Sequence, residues 1–366
     1  MHTIALIFGG RSSEHGISCV TAGGILRQID RSRFDVVPIG VTSDGRFVEV
    51  TGDPEHWQIT NGLAPHVPDS GDEIILQQSR LGQGKVELRV VRDGGRIEHL
   101  AHIDAVFPLL HGPYGEDGTI QGLFELWDVP YVGSGVLASA ASMDKDFTKR
   151  ILQAAGLNVA RGVVVRASEP RATVRERASS LAFPLFVKPA RAGSSFGVTK
   201  VDAPDQLDAA LDEAFRFDPK VLIEQGIEGR EVECGVLQGE NGQAPRTSLP
   251  GEVVIGEDLA FYDYESKYFG KGTVTIDIPA AIPEQYVAAV REVAARAFEA
   301  LELEGLARVD VFVTGAGEVI VNEVNTMPGF TQISMFPVLW ENMGLSYADL
   351  ISRLIDNALE RGVGLR

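Results

Sequence analysis

Continuous apolar runs alternate with helical segments in the first third of the chain. Residues 3–8 form an apolar run that ends at a Gly-Gly pair, which is typical of a buried strand of a parallel sheet leading into a loop. A helix is predicted over residues 17–28, a second strand over 34–41 and another buried strand over 105–110. Because strands and helices alternate, we predict an open, doubly wound (Rossmann-like) α/β lobe.

Shorter elements complete this first lobe. Residues 44–102 have the pattern of short polar strands and turns, and Asp93-Gly94-Gly95 is predicted to be a hairpin turn. Residues 117–127 have the pattern of a helix. We expect the lobe to span residues 1–142.

The pattern next predicts a central α+β lobe over residues 143–225. Its predicted elements are strands over 183–187, 196–201 and 221–223 and an amphipathic helix over 205–217. Lys188 and Glu224 follow directly after the first and last of these strands. Both charged side chains are therefore expected at the ends of buried strands.

A C-terminal α+β lobe is predicted over residues 226–366. Its predicted elements are a strand over 231–238, an aromatic and charged loop near 261–270, a helix over 284–303, a hairpin over 306–325 and a helix over 347–361. Ser346 is expected to be the N-cap of the last helix.

Length and charge narrow the class of protein. The chain has 366 residues, which exceeds one typical core, so two or three lobes are expected. Its formal net charge of -18 argues against binding nucleic acid through phosphate neutralisation. A chain this acidic needs local cations and a metal to bind an anionic ligand such as ATP.

Cysteines and hydropathy point to a cytoplasmic enzyme. Cys19 and Cys234 do not form a CxxC pair, so we expect two small buried side chains rather than a zinc site or a disulfide. The N-terminus lacks the pattern of a signal peptide, and no uncharged apolar stretch is long enough to span a bilayer.

The predicted hairpin over residues 306–325 brings polar side chains to one face. If Ala316-Gly317 is a two-residue turn, Gly315 pairs with Glu318, Asp310 with Glu323, and Arg308 with Asn325. Side chains alternate between the faces of a strand, so these residues share one face and three valines take the other.

Two carboxylates that face each other across a strand pair repel, so a cation is expected between Asp310 and Glu323. Together with the amide oxygen of Asn325, they are hard oxygen ligands that suit Mg²⁺ holding phosphates. The alternative is a solvated polar face with an ion pair from Arg308. In the predicted register Asn322 falls on the apolar face, which counts against that register.

Lys188 and the glycine-rich segment after it are candidates for phosphate binding. Lys188 either extends its ammonium to solvent or binds an anion. Gly193, Ser194, Ser195 and Gly197 lie in a loop whose backbone N–H groups and hydroxyls can surround phosphates. An ordinary Gly/Ser loop is the alternative, since the P-loop motif is absent.

Two carboxylates are candidates for nucleoside recognition. Glu224 can accept a hydrogen bond from an adenine amino group, and the nearby Glu231 can accept from ribose hydroxyls. Surface carboxylates without a role are the alternative for both.

Six segments together resemble the D-alanine–D-alanine ligase family of the ATP-grasp superfamily over nearly the whole chain. They are Gly9-Gly-Arg-Ser-Ser-Glu14-His-Gly-Ile-Ser18, His111-Gly-Pro-Tyr-Gly-Glu116-Asp-Gly-Thr-Ile-Gln-Gly122, Ser142-Met-Asp-Lys145, Lys188-Pro-Ala-Arg-Ala-Gly-Ser-Ser195, Tyr262-Asp-Tyr-Glu-Ser-Lys-Tyr268 and Asn322-Glu-Val-Asn-Thr-Met-Pro-Gly-Phe-Thr331. The His-Gly and Tyr-Asp-Tyr-Glu segments are the most specific. The resemblance implies an ATP-grasp fold with ATP between the second and third lobes.

The resemblance also implies roles for individual residues. Lys145, Lys188 and Lys267 would contact ATP phosphates, residues 193–197 would form a lid, and Glu224 and Glu231 would contact adenine and ribose. Two Mg²⁺ (or Mn²⁺) ions would be held by Asp310, Glu323 and Asn325. Gln225 departs from the lysine that is common at its position, so adenine recognition there is expected through the backbone.

For the substrate, the resemblance implies two D-alanine sites and a homodimer. Glu14 would bind the first ammonium group, in a hydrogen-bonded set with Ser194 and Tyr268. Arg308 and the N–H of Gly329 would stabilise the oxyanion, and Ser334 would bind the second carboxylate.

Three alternative functions stay open on sequence alone. A depsipeptide or D-Ala-D-Ser ligase is one, although the Lys267-Tyr268 loop favours the dipeptide. Another ATP-grasp ligase and a non-catalytic ATP-binding protein are the others. The Glu14 and His111 segments argue against the former, and the full set of phosphate and metal residues argues against the latter.

Overall fold

The computed structural model describes residues 1–50, 52–60, 62–79, 86–255 and 274–364. Within them, three sheets follow one another along the chain. The predicted phosphate lysine Lys267 and the predicted substrate residue Tyr268 lie outside the described residues.

The first sheet combines a parallel core with an antiparallel extension. Its strand order is β6-β5-β4-β3-β2-β1-β7, and β1 pairs in parallel with both β2 and β7. The strands are β1 His2–Gly9, β2 Phe34–Val41, β3 Phe47–Glu49, β4 Glu73–Gln78, β5 Val86–Arg92, β6 Arg96–Ile103 and β7 Ala105–Pro108. The helices α1 His15–Gln28 and α2 Thr119–Leu126 pack on this sheet, whereas α3 Val136–Met143 follows in the chain and places Ala138 in the core of the third sheet. The predicted alternation of strands and helices is confirmed.

The second sheet is antiparallel, with strand order β10-β9-β11-β8. Its strands are β8 Gly162–Arg166, β9 Leu185–Pro189, β10 Thr199–Val201 and β11 Lys220–Gln225. Helices α4 Lys145–Ala154, α5 Arg171–Ala178 and α6 Leu207–Ala214 lie in the same part of the chain. Val187, Val221 and Ile223 point into an apolar core, which leaves the alternate residues of β9 and β11 for the other face.

The third sheet has strand order β15-β14-β12-β16-β17, with β13 paired to β12. Its strands are β12 Gly229–Leu237, β13 Arg246–Thr247, β14 Gly251–Ile255, β15 Val274–Asp277, β16 Leu306–Thr314 and β17 Val319–Asn325. The helices are α7 Glu284–Ala300, α8 Met335–Glu341 and α9 Tyr347–Arg361. Ser346 caps α9 as predicted, because its hydroxyl accepts from the N–H of Asp349 at 3.2 Å.

The last helix packs in a core that the first and third sheets share, since this core also contains Leu237 and Leu306. Leu350, Ile351 and Leu354 share a buried core with Ile4 and Phe8. The C-terminal helix therefore packs against the N-terminal part of the chain and stabilises it. The three-lobe boundaries at residues 142 and 225 stay predictions.

The β16–β17 hairpin corrects the predicted register near its turn. Thr314, not Gly315, pairs with Glu318, so the loop has three residues and ends at Gly317 with a φ of +83°. A β-bulge at Asn322 then restores the predicted pairs Asp310–Glu323 and Arg308–Asn325. The bulge explains why Asn322 did not fit the simple alternation.

Both cysteines are buried, as expected from the sequence, and burial raises the pKa of each thiol to about 12. No helix among the described residues has the length and apolar character needed to cross a membrane.

Candidate active site

A row of three acidic side chains crosses the third sheet. Glu233 on β12 lies opposite Asp310 on β16, and Asp310 lies opposite Glu323 on β17. Like charges placed opposite each other on neighbouring strands repel. The alternation of side chains places Val309, Val311 and Val313 on the other face, where they are buried, as predicted.

Arg308 is the cation that accompanies this row. Its Nε and Nη2 each donate to one oxygen of Asp310 at 2.7 Å, and Nε lies 2.8 Å from Glu233 Oε2. Burial, assisted by Glu233 and Glu323, raises the pKa of Asp310 to about 7 against the opposing effect of Arg308. Arg308 thus contacts two of the three carboxylates of this acidic row.

Asn325 completes the predicted metal set. Its Nδ2 donates to Asp310 Oδ2 at 3.0 Å, so the amide and the carboxylate lie side by side. Within the part of the chain that the structure describes, no three acidic, histidine or cysteine side chains form a metal-binding group. The predicted set of Asp310, Glu323 and Asn325 offers two carboxylates and an amide oxygen, which are hard ligands of the kind that Mg²⁺ prefers, and it stays a prediction.

The second sheet presents the opposite charge. Lys188 Nζ lies 2.6 Å from Glu224 Oε2, and Lys149 Nζ lies 2.8 Å from Glu224 Oε1. Lys188 and Lys149 are only 8% exposed and Glu224 only 4%. Burial alone would raise the pKa of Glu224, but the two ammonium groups outweigh it and hold that pKa below its usual value. Lys149 and Lys188 thus form a lysine pair around one carboxylate.

Sequence reasoning missed Lys149, which the structure places in this lysine pair. A signal was available: Lys145 and Lys149 lie four residues apart, and such residues share a face of a helix. Burial lowers the pKa of Lys149 to about 8, and neighbouring Lys188 adds to this effect.

The N-terminus of α4 brings Lys145 to the same cleft. Its Nζ donates to the carbonyl oxygen of Ala192 at 2.8 Å and lies 3.7 Å from Glu323 Oε2. Buried Lys220 anchors this helix end by contacting Asp144 at 2.8 Å and Asp146 at 2.6 Å. Lys145 therefore connects the glycine-rich loop to the acidic row.

Asn322, which the β-bulge turns toward the cleft, joins the two sheets. Its Nδ2 donates to Glu231 Oε1 at 3.1 Å, and its Oδ1 accepts from Lys188 at 3.5 Å. The predicted ribose residue Glu231 and the predicted phosphate residue Lys188 are thus linked through one amide. Sequence reasoning assigned Asn322 no role.

The glycine-rich loop closes on the first lobe. Ser194 donates to Glu14 Oε1 at 2.5 Å, so two members of the predicted set of Glu14, Ser194 and Tyr268 are in contact. Ser194 and Ser195 have φ angles of +48° and +58°, which are strained for residues with a side chain. A Cβ atom at Gly193 would lie 3.1 Å from Glu14 Oε2, so a side chain here would crowd the Glu14 carboxylate.

His111 and Glu116 hold one peptide of the third lobe. Glu116 accepts from the N–H of Met327 at 2.9 Å and from that of Gly112 at 2.7 Å. His111 Nδ1 lies 3.1 Å from the Met327 carbonyl oxygen. Burial, with a contribution from Glu14, raises the pKa of Glu116 to about 7. Sequence reasoning quoted both residues only as parts of a motif.

The remaining predicted residues lie in the segment after β17. Gly329 is half-buried, two residues beyond the Met327 peptide that His111 and Glu116 hold. Ser334 is the residue before α8, and its hydroxyl lies 2.7 Å from that of Thr331. The contacts of His111 and Glu116 with Met327 therefore position the start of the segment that carries Gly329 and Ser334.

One cleft is lined by β17, by α3 and α4, and by the loops that follow β7 and β9, so all three parts of the chain contribute to it. Its lining consists of Gly112, Glu116, Ser142, Met143, Lys145, Thr148, Ala192, Gly193, Asn322, Glu323, Val324, Asn325 and Thr326. An antiparallel sheet with paired lysines that faces a sheet with a row of carboxylates is the arrangement of the ATP-grasp class, and the chain has this fold.

Comparison with known proteins narrows the class to one family. The sequence profile described as "D-ala D-ala ligase N-terminus" matches residues 3–134, and "D-ala D-ala ligase C-terminus" matches residues 151–356. The chain belongs to the D-alanine–D-alanine ligase family.

Relatives and solved structures cover almost the whole chain. The D-alanine–D-alanine ligase of Paenarthrobacter aurescens is 51% identical over 99% of this chain and 96% of its own length. The VanG D-Ala:D-Ser ligase of Enterococcus faecalis is 35% identical with a TM-score of 0.81, over 98% of this chain and 99% of that chain. The D-alanine–D-alanine ligase of Bacillus anthracis, complexed with ATP, is 25% identical with a TM-score of 0.72, over 99% and 98% of the two chains.

Proposed function

We propose that the protein joins two D-alanine molecules with ATP, through a D-alanyl phosphate, to give D-alanyl-D-alanine, ADP and phosphate for peptidoglycan precursor synthesis. The observation that carries this proposal is the charge of the cleft. Lysines on one side match a triphosphate, and carboxylates on the other match divalent cations. The 51% identity to a D-alanine–D-alanine ligase supports the same reaction.

The lysine side of the cleft binds the nucleotide. Lys145, Lys188 and Lys267 contact phosphate oxygens, and Gly193, Ser194 and Ser195 cover them as a lid. Glu224 accepts from the adenine amino group, and Glu231 accepts from ribose hydroxyls. Phosphoryl transfer depends chiefly on positioning and charge neutralisation, which is what paired lysines and a lid supply.

Asp310, Glu323 and Asn325 would hold two Mg²⁺ (or Mn²⁺) ions. When bound, these ions would neutralise the charge of the transferred phosphoryl group. The mutual repulsion of Asp310 and Glu323 and the raised pKa of Asp310 support this assignment, because a divalent cation would relieve both.

The ligation itself needs an activated carboxylate, since oxide is a poor leaving group. A carboxylate oxygen of the first D-alanine attacks the γ-phosphorus of ATP, and ADP leaves. The neutral amine of the second D-alanine then attacks the acyl carbon, the amine loses a proton, and phosphate leaves as the amide forms. A closed lid protects the acyl phosphate from water.

Six residues are proposed to act on the reacting D-alanines. Glu14 binds the first ammonium group, and Ser194 and Tyr268 complete its hydrogen-bonded set. Arg308 and the N–H of Gly329 stabilise the tetrahedral oxyanion. Ser334 binds the carboxylate of the second D-alanine.

The proposal includes the organisation of the protein. We propose lobes over residues 1–142, 143–225 and 226–366, a homodimer, a cytoplasmic location, and no nucleic-acid or membrane partner. The net charge of -18 supports the absence of nucleic acid binding.

A single incubation tests the reaction. The purified protein is mixed with ATP, Mg²⁺ and D-alanine, and phosphate release is followed together with product mass. We expect D-alanyl-D-alanine from D-alanine and no product from L-alanine. Absence of phosphate release with every D-amino acid would refute the activity.

A D-alanine–D-serine ligase is the second candidate, because a protein with that name is 35% identical with a TM-score of 0.81. Parallel samples contain D-alanine with D-serine or D-lactate. A dominant mixed product would favour the second candidate and remove the proposed role of Tyr268.

A further inference from the structure

Lys149 has no role in the reaction described above, yet it makes one of the closest charged contacts near the cleft. Its Nζ lies 2.8 Å from Glu224 Oε1, while Lys188 Nζ lies 2.6 Å from Glu224 Oε2. Each oxygen of this buried carboxylate therefore has its own cation. A single lysine would already satisfy the charge of Glu224, so the second lysine needs an explanation.

The two lysines are attached differently. Lys188 lies on strand β9 and also reaches Asn322 Oδ1 at 3.5 Å, on the acidic side of the cleft. Lys149 lies on α4, whose first turn is anchored by Lys220 to Asp144 and Asp146. Nucleotide phosphates would compete with Glu224 for Lys188. Lys149 would stay with Glu224, because its helix is held in place.

A carboxylate accepts a hydrogen bond well from an amino group only when it is ionised and one of its oxygens points toward that group. An ionised carboxylate is acceptor-only, whereas a protonated one presents an O–H donor toward the amino group. Burial of Glu224 favours the protonated form, so the carboxylate needs a cation that remains after Lys188 has turned to the phosphates.

We propose that Lys149 is a positioning residue that keeps Glu224 ionised and oriented, and thereby makes the site selective for adenine over purines that lack a 6-amino group. This inference rests on the proposed adenine contact of Glu224. It adds that the two lysines behave differently when the nucleotide binds: Lys188 moves from the Glu224 carboxylate to the phosphates, whereas Lys149 stays with Glu224.

The test compares two nucleotides that differ only in that amino group. ATP and purine riboside 5′-triphosphate are each supplied with Mg²⁺ and D-alanine, and kcat and KM are measured. For the unmodified protein we expect kcat/KM to favour ATP by about 10- to 100-fold, as for one hydrogen bond to a charged group. In Lys149→Met this preference should fall to within roughly threefold of equality, mainly through KM for ATP.

Two further variants separate positioning from general damage. Lys149→Arg keeps the cation and should restore most of the preference for ATP. Lys200→Met removes an exposed lysine of β10 and should leave both nucleotides unaffected. Unfolding of each variant is followed by circular dichroism, and Lys149→Arg supplies the comparison if Lys149→Met does not fold.

The outcomes distinguish this inference from the proposed function. If Lys149→Met keeps the preference for ATP, the inference is wrong while the ligase activity stands. If Glu224→Gln also keeps it, or if the unmodified protein does not distinguish the two nucleotides, the adenine contact is wrong and the inference falls with it. If the unmodified protein releases no phosphate with D-alanine, the proposed function itself fails.

Discussion

The two sheet faces that meet at the cleft carry unbalanced charge of opposite sign. In the lysine pair, two ammonium groups surround Glu224, and burial lowers the pKa of Lys149 to about 8. In the acidic row, Arg308 accompanies three carboxylates, and burial raises the pKa of Asp310 to about 7. Lys149 and Asp310 are thus shifted toward losing their charge, as expected where burial outweighs the neighbouring counter-ions.

The difference indicates what each face binds. A structural ion cluster would be expected to balance its charges, because an uncompensated buried charge is costly. Here two described lysines share the carboxylate of Glu224 on one face, Arg308 contacts two carboxylates on the other, and Lys145 and Asn322 connect the two faces. A triphosphate with divalent cations is complementary in charge to both faces.

The largest effect is expected from the acidic row. Glu323→Gln removes a carboxylate of the proposed metal set, so we expect kcat/KM to fall on the order of a thousandfold, as when a group that stabilises transition-state charge is lost. Phosphate release is measured over a series of Mg²⁺ concentrations. Higher Mg²⁺ should recover part of the activity.

Glu318→Gln is the matched control, since this exposed glutamate lies on the same hairpin. It should leave activity unchanged. Full activity of Glu323→Gln at ordinary Mg²⁺ would show that the acidic row does not hold the metal.

The lysine pair makes a prediction about stability. The unfolded state holds the Lys149 proton up to its ordinary pKa of 10.5, whereas the folded state releases it near 8. The unfolded state therefore binds more protons between these pH values, and Lys149 contributes stability that increases with pH across this window.

Relative to Lys149→Met, the free energy of unfolding of the unmodified protein should rise by about 3 kcal/mol from pH 8 to pH 10.5. Urea denaturation of the ligand-free protein at several pH values measures the difference. At pH 7 the variant should lose little stability or gain some, because an apolar side chain replaces a buried charge. A pH-independent difference would mean that Lys149 is not held in an unfavourable charged state.

How far the sequence predicts the site depends on the range of each contact. Alternation along β16 and β17 is local, so the pairs Asp310–Glu323 and Arg308–Asn325 were predicted correctly. The third carboxylate of the acidic row, Glu233, lies on β12 and was not predicted. The bulge at Asn322 was not predicted. It compensates for a loop of three residues, whereas the sequence predicted a turn of two. Apolar periodicity likewise located the strands that carry Lys188 and Glu224.

Contacts between distant segments could not be predicted in this way. The carboxylate that Lys149 contacts, Glu224, lies on a strand of another part of the chain, so helix periodicity alone does not reveal it. His111 and Glu116 contact backbone atoms of Met327. Every residue has a backbone carbonyl, so the residue types in the sequence do not reveal such a partner. The family motif marked these two residues without indicating their partner.

The smallest effect is expected where the lid closes on the first lobe, outside both charged faces. Ser194 donates to Glu14 at 2.5 Å, so Ser194→Ala, Glu14→Gln and the double variant form a double-mutant cycle. Using kcat/KM for D-alanine, we expect a coupling of about 1 to 2 kcal/mol, typical of a hydrogen bond between neighbours in one network. Glu14→Gln alone should lower kcat/KM more than Ser194→Ala, because it also removes the proposed partner of the substrate ammonium.

Ser179→Ala, which alters an exposed serine of the central lobe, is the control and should leave kcat/KM unchanged. Additive effects of Ser194→Ala and Glu14→Gln would mean that this contact does not persist when D-alanine binds, and that the lid is held closed by the charged faces instead.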